Sequence, residues 1–414
     1  MSGYRANVGY GKLTRADSIG PAEIPTGFSV YSPDDVTNSC IHQLTKRFGA
    51  GIDISINRNR NNNYKQDIGL REFTVATSGM MDIDFTINGV FAPSCSDWIQ
   101  HGIMSELTEI KKDSTFVNSS GTSIASPTDT TVGYVKTGKI VYTSPMTYKE
   151  FSSYKTKIGS TAMTIQVHYY VNLDGPMYFD IGYEQINKNT TFGGENEIGV
   201  LFGCVVDNFN ISYESGSDAG ISFSISGTAL SNYFRLTSDE FNYNAILDPI
   251  PAVVMVGGCV SADKDGNGYE AIAQTDSAQI TVSNNLTKLG NCLKLYYSSV
   301  ALGAQTIEMS TSTYSNDPNK YMSYMYGYEK FGTVKDYTIA KRPLPIPKML
   351  IRTDNTSAEI STATEFLDIY LTDVFVGTAN RTYNVDNAIM DEPDLRPRKV
   401  KIVVGFTDKS SVEI

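Results

Sequence analysis

The residues whose types could do chemistry are few and far apart. Three histidines, His42, His101 and His168, are scattered through 414 residues, and neither their number nor their spacing suits a catalytic triad or a histidine-metal site. No G-x-S-x-G, phosphate-loop, H-E-x-x-H or G-x-G-x-x-G context is present. The paired carboxylates Asp82 and Asp84 alternate along a strand-like stretch. Both therefore face one side of it, which reads as a solvated strand face before it reads as an acid–base pair. We expect no catalytic residue and no bound cofactor.

One segment has the spacing of a cation loop. Asp263-Lys-Asp265-Gly-Asn267-Gly268 places oxygen ligands at loop positions 1, 3 and 5 and glycine at position 6, as a calcium loop requires. Position 9 is Ala271 and position 12 is Gln274 in place of the bidentate glutamate, and both flanks read as strands. A tight Asp-Gly or Asn-Gly hairpin turn is the plainer expectation, so Asp263, Asp265 and Asn267 are the only metal candidates and no metal is assigned. The basic run Arg396-Pro-Arg398-Lys399-Val-Lys401 alternates with an apolar strand and is expected to be a polar strand face or a contact with an acidic neighbouring subunit. Tyr296, Tyr297, Tyr321, Tyr324, Tyr326 and Tyr328 would be stacking platforms if exposed, and core packing if not.

Composition narrows the classes further. With 34 Lys+Arg against 45 Asp+Glu the formal net charge is −11, which argues against binding nucleic acid by neutralising phosphates. Five cysteines, Cys40, Cys95, Cys204, Cys259 and Cys292, are odd in number and contain no CxxC. Free thiols in a reducing compartment are expected, not a disulfide framework or a zinc site. Sequons such as Asn118-Ser-Ser and Asn189-Thr-Thr carry no meaning in an unsecreted chain. The N-terminus, MSGYRANVGYGKLTR, lacks an apolar signal region, and the longest apolar run, Ile250 to Val260, includes a proline and two glycines. It falls far short of the roughly 20 residues that a spanning helix needs.

The elements that must position these residues are mostly strands. Tyr (26), Phe (18) and Gly (34) are plentiful, and long Ala/Glu/Lys/Leu stretches are missing, a mix that favours strands and turns. The clearest pattern is an internal repeat. Ile52-Asp-Ile-Ser-Ile-Asn57 lines up with Ile280-Thr-Val-Ser-Asn-Asn285, each running into an Asn-rich turn. Ile83-Asp-Phe-Thr86 lines up with Ile307-Glu-Met-Ser310, each preceded by a glycine turn. Ile99, Ile103, Leu107 and Ile110 then recur at helical spacing, which predicts a helix over 97–111 with Ser96 or Asp97 as N-cap. In the second copy Asn316-Asp317-Pro318 opens a short helix bearing Tyr321, Met322 and Met325. Phe209, Ile211 and Tyr213, a Gly/Ser/Asp turn, and Ile221, Phe223 and Ile225 predict a hairpin with one packed and one hydrated face.

The copies divide within 236–252, where Pro249 and Pro251 break regular structure. The segment Lys341 to Pro347, with three alternate prolines, reads as an extended arm or crossing loop. Residues 1–48 show no periodicity and are expected to be an N-terminal arm or irregular surface. The domains read as 49–240 and 241–414.

Three stretches resemble the tail tube proteins of tailed bacteriophages: Ile280 to Thr287, Gly203 to Gly227, and Leu367 to Phe375 with Val400 to Val404. Together the similar segments spread over roughly 50–405. The resemblance implies a mainly β fold of two tandem tail-tube-like β-sandwich or barrel domains, each flanked by one short α-helix. It also implies long hairpins that join an inter-subunit β-barrel. The implied role is structural and non-enzymatic: trimeric rings of pseudo-sixfold symmetry, stacked into a hollow virion tube assembled in the bacterial cytoplasm. Implied partners are the chain itself, other tail proteins, the tape measure protein and viral DNA passing through the lumen, with no membrane. A distal tail or tail-completion ring protein of the same fold is the nearest alternative, and a carbohydrate-binding receptor-recognition module the alternative from another class.

Overall fold

Long runs of alternating apolar and polar residues separated by glycine, asparagine and serine turns leave little room for helices, and the chain is mainly β. The structure, a computed structural model, describes residues 5–15, 20–60, 63–65, 75–77, 79–136, 146–159, 163–170, 175–186, 195–214, 220–238, 257–263, 268–290, 295–314, 321–328, 342–354, 365–382 and 390–407. The first half opens with β1 (Arg5–Gly11), α1 (Cys40–Gln43), β2 (Ala50–Arg60), the short pair β3 (Asn63–Lys65) and β4 (Val75–Thr77), and β5 (Met81–Val90). A 3₁₀ turn, Pro93–Trp98, then runs into α2 (Ile99–Gly102).

An inserted unit follows: β6 (Ser105–Ile110), β7 (Thr115–Val117), β8 (Val132–Lys136), β9 (Met146–Thr147), α3 (Tyr148–Ile158) and β10 (Met163–Tyr170). The half ends with β11 (Phe179–Ile186), β12 (Asn196–Glu214), β13 (Ser222–Thr228) and β14 (Ser231–Thr237). The second half contains β15 (Gly257–Asp263), β16 (Glu270–Ser283), the pair β17 (Thr287–Leu289) and β18 (Ser299–Ala301), β19 (Thr306–Tyr314), α4 (Met322–Met325), β20 (Ile346–Asp354), β21 (Phe366–Thr382) and β22 (Met390–Thr407).

The two halves repeat one connectivity. In the second, hydrogen-bonded neighbours run β15–β20–β21–β22–β19–β16 and back to β15, a closed ring of six antiparallel strands. In the first, β1–β11–β12–β13–β5–β2 follows the same path, and a bridge between Tyr10 and Lys46 brings the start of β2 back to β1. Registers match around the ring. Phe85 pairs with Ile56 and Gly227, as Met309 pairs with Ile280 and Leu395. Val206 opposes Gly227 and Val376 opposes Leu395, and in both cases a one-residue bulge follows, at Asp207 and Gly377. Tyr10 opposes Ile181 and Lys46, as Ala262 opposes Met349 and Glu270.

Several expectations need correction. The second strands of the two copies are equivalent as expected, but the first strands are shifted by four residues: Ile280 corresponds to Ile56, not to Ile52. A strand repeats its faces every two residues, so alternation alone cannot tell one even shift from another. The helix expected over 97–111 ends at Gly102, and Ser105–Ile110 is a strand paired to β10. A Cβ on Gly102 would sit 2.9 Å from the Phe209 ring, and Met104 turns the chain with φ 49°. Leu107 and Ile110 are thus buried by strand pairing. Neither proposed cap caps: Ser96 Oγ donates to the Pro93 carbonyl, and Asp97 accepts from Lys46 and Gln166.

Residues 5–15 and 20–48 are built into the fold. Strand β1 lies antiparallel to β11, and the buried Asp180 carboxylate takes hydrogen bonds from Arg15, the Leu13 amide and the Gly203 amide. Pro347 lies inside β20 near its start, beyond the stretch that pairs with β15, where a missing amide costs no ladder bond on that edge. The hairpin β12–β13 forms as read, with Phe209 opposite Ile225 and Ile211 opposite Phe223. The boundary residues 239–252 and the Asn316-Asp317-Pro318 cap lie outside the described residues.

One apolar core runs through both rings, from Tyr10, Phe85 and Trp98 to Met309, Leu371 and Val404. Trp98 is packed between Phe209 and Phe223, with ring centroids 5.4 and 4.6 Å away. The inserted unit, though it interrupts the first half, docks on the second: β10 pairs with β22, and Ile110, Phe151 and Val167 pack with Phe366 and Val403. Helix α3 starts where Thr147 and Glu150 form a reciprocal capping box.

Candidate functional site

One chemically distinct surface is a face of a continuous antiparallel sheet. Its order is β2–β5–β13–β12–β16–β19–β22–β21, so strands of both halves lie side by side. Alternation sends Phe85, Ile87, Phe209, Ile211, Phe223, Ile225, Ile280, Val282 and Met309 into the core. The opposite face carries Ser55 and Asn57, Thr86 and Asn88, Ser224 and Ser226, Asn208 and Asn210, Gln279 and Thr281, Ser310 and Ser312, and Thr378 and Asn380. Polar pairs link neighbouring strands on this face: Asn210 donates to Thr281 at 3.0 Å, Ser283 to Asn208 at 2.6 Å, and the Ser212 and Ser222 hydroxyls meet at 2.6 Å. Asp53, Glu214, Glu308, Glu392 and Asp394 add carboxylates. Arg396 is held between two of them, 3.0 Å from Glu308 and 3.3 Å from Asp394. A wet, acidic wall of this kind repels a polyanion where a basic wall would bind it.

The seam between the halves is built from polar groups that bond across it. Strand β12 pairs with β16 from Asn208↔Ser283 to Glu214↔Ser277. Asn284, almost fully buried, donates to the carbonyls of Gly102 and Val206 and accepts from Gln305. Asp207 accepts from the Leu286 amide. The paired carboxylates Asp82 and Asp84 have a structural partner: Lys288, from the β17–β18 hairpin, reaches both at 2.9 and 2.8 Å. Burial alone would lower the Lys288 pKa, but the two aspartates hold it above the ordinary lysine value.

A concavity of about 730 Å³ lies between α3 and the strands of the second half. Tyr154, Tyr169, Tyr269, Tyr370, Lys348, Lys399 and Lys401 line it together with Glu150 and Asp263. Lys401 contacts Glu150 at 2.6 Å and lies over the Tyr370 ring, 4.6 Å from its centroid. Burial pushes Glu150 up, but Lys401 and the Thr147 hydrogen bonds bring it below the usual carboxylate range. Burial and nearby carboxylates push the Tyr269 hydroxyl up to about 12.

The structure scatters the other residues singled out in the sequence. His101 is half-buried and stacked on Phe179 at 4.5 Å, and His168 is buried in β10, opposite Leu107 and Ile402. Burial lowers both pKa values from 6.5 to about 3, which keeps the rings neutral. His42 stacks on Tyr31. Asp263 ends β15, buried, with Lys348 Nζ 3.6 Å away. Asp265 and Asn267 lie outside the described residues. Among the described residues no group of three or more His, Cys, Asp or Glu is placed to hold a metal ion, and no helix is long and apolar enough to cross a membrane.

Cys40 and Cys204 are buried free thiols, and Cys95 is a half-buried one. Burial pushes the Cys40 thiol up to about 12. Tyr321 and Tyr324 are core residues, not exposed platforms, whereas Tyr296, Tyr297, Tyr326 and Tyr328 are half-buried. The basic run near the C-terminus pairs within its own chain: Arg396 as above, Arg398 with Asp373, and Lys401 with Glu150. Sequence reading missed Asn284 and Lys288 as seam residues. In the sequence Asn284 reads as part of a turn, and the only signal for Lys288 is the Asp82/Asp84 pair, which reads there as a solvated strand face. Compared with known proteins, the chain matches no protein-family model, and no curated protein is significantly similar to it.

Proposed function

We propose that the chain is a structural subunit of a hollow tube of the bacteriophage tail tube kind, in which copies join side by side into rings and the rings stack. The observation that carries this reading is the doubled connectivity: two six-stranded rings with matched registers, fused edge to edge through β12 and β16 into one sheet. A subunit whose halves already associate as neighbours holds the rule for adding the next copy. The hydrated acidic face supports the assignment of that face to the lumen, where DNA would slide without sticking. On this reading the chain is not an enzyme, its partners are further copies and other tail components, and its location is the virion.

Electron microscopy of the purified protein tests the proposal. Rings or tubes with a central hole are expected. A protein that stays monomeric at high concentration and is retained by a glycan column would overturn it in favour of a receptor-recognition module.

A further inference from the structure

Within the chain, the first ring meets the second along one strand junction, and both strands of that junction have a counterpart at the outer ends of the eight-stranded sheet. Along residues 208–214, β12 is bonded on one edge to β13 and on the other to β16. Its counterpart is the end of β21, where the matched bulges make Asn208 equivalent to Thr378 and Asn210 equivalent to Asn380. Among the described residues, β21 from Phe375 onward pairs with β22 only. The counterpart of β16 is β2, with Ile56 in the place of Ile280, and among the described residues β2 pairs with β5 only. The sheet therefore carries one member of the junction at each of its two ends.

We propose that a second copy of this chain completes the junction: Phe375–Thr382 of one copy pairs antiparallel with β2 of the next, in the register that β12 and β16 use inside the chain. This rests on the tube reading and specifies its lateral contact. The register places Thr378 opposite Asn59, Asn380 opposite Asn57 and Thr382 opposite Ser55. Asn380 and Asn57 lie on the hydrated face, where the internal junction has Asn210 bonded to Thr281. On the other face the internal pair Ile211–Ile280 becomes Arg381 with Ile56, and Phe209–Val282 becomes Ala379 with Arg58. Both arginines carry their own carboxylates, Asp391 at 2.7 Å and Glu197 at 2.5 Å. Charged residues at these ends are what keeps an unassembled sheet edge from pairing indiscriminately, and the internal seam, never exposed, has no need of them. The contact is head-to-tail, so repetition closes a ring if the rotation per copy allows it.

The test is an Asn57→Cys/Asn380→Cys double variant, oxidised after assembly, beside oxidised wild-type protein and the two single variants. Directly opposed residues on one face lie within disulfide reach. A ladder of covalent oligomers on a non-reducing gel is expected for the double variant alone. An Asn57→Cys/Ala379→Cys variant, slipped by one residue, puts its thiols on opposite faces and gives no ladder. As a second readout, amides in 54–60 and 375–382 become protected from hydrogen exchange on assembly. If rings form but the ladder appears instead with Asn57→Cys/Thr378→Cys, or the two segments gain no protection, the junction is wrong while the tube reading stands. If wild-type protein forms no ring or tube, both fall.

Discussion

The two halves share strand order, register and bulge, yet they close differently. The second ring is shut by a ladder between β15 and β16. The first is shut at one bridge, Tyr10 with Lys46, where two backbone hydrogen bonds of 2.8 and 3.1 Å replace a ladder. What the first ring lacks in backbone pairing it has in side chains. Arg15 is clamped to Asp180, Lys46 to Asp97, and Trp98 fills the centre between aromatic rings. The first half is also the one interrupted, between α2 and β11, by a unit that packs on the other half. Equivalent backbone frames thus tolerate different means of closure, provided the strand registers that carry the core are kept.

The sharpest way to break the comparison is to truncate equivalent positions. Trp98 and Met322 stand at corresponding places after β5 and β19, but Trp98 is buried and Met322 only half-buried. Trp98→Ala should cost about 3–5 kcal/mol and Met322→Ala clearly less, measured by urea unfolding followed by circular dichroism. Equal losses would mean that the two helical turns do the same work. Next in size is Asp180→Asn, which leaves Arg15 without its carboxylate in a buried setting and should cost about 3 kcal/mol. Limited proteolysis should then release the segment before β2 while β15–β22 stays resistant, and simultaneous loss of both would show that the halves do not unfold separately.

Acid separates the halves by another route, because all three histidines lie before residue 169. His101 and His168 are neutral in the fold, with pKa values lowered to about 3, whereas an unfolded chain takes up those protons near 6.5. The unfolded state binds more protons between these values, so stability is full above about 6.5 and drains away as pH falls toward 3. Hydrogen exchange at pH 5 should therefore rise first in α2, β6 and β10, and a His168→Gln variant should flatten the slope. Uniform loss across β15–β22 would contradict this. The smallest effect is at the seam. Lys288→Met removes a partly exposed bridge to Asp82 and Asp84 and should cost about 1 kcal/mol, seen as a small drop in the urea midpoint.

Strand content, the β12–β13 hairpin and the existence of a repeat were legible in the sequence because each rests on period-two alternation over many residues. What alternation cannot carry is register. The Ile52–Ile280 alignment satisfied the pattern as well as the true Ile56–Ile280 equivalence, and only the pairing of Phe85 and Met309 decides between them. The overlong helix has a similar origin: Ile99, Ile103, Leu107 and Ile110 fit a helical stripe, but the bend at Met104 hands the last two to a strand. The matching segments 5–11 and 257–263 were invisible, since their counterparts in the ring, β11 and β20, are far away in sequence. Of the candidate surface, the polar strand face was readable from the Ser and Asn alternation. The seam was not, because Asn284 and Lys288 find their partners some 80 to 200 positions away.

The unit over 105–170 has a consequence that concerns counting. It occurs in the first half, whereas only the 20 residues 326–345 separate α4 from β20, too few for a counterpart. In any closed assembly of these chains the strand framework repeats twice per subunit, while the unit carrying α3 repeats once. The strand framework and the inserted unit then obey different symmetries. A partner that grips the framework meets twice as many equivalent sites as one that grips the inserted unit, so the stoichiometry of a bound partner reports which of the two layers it touches.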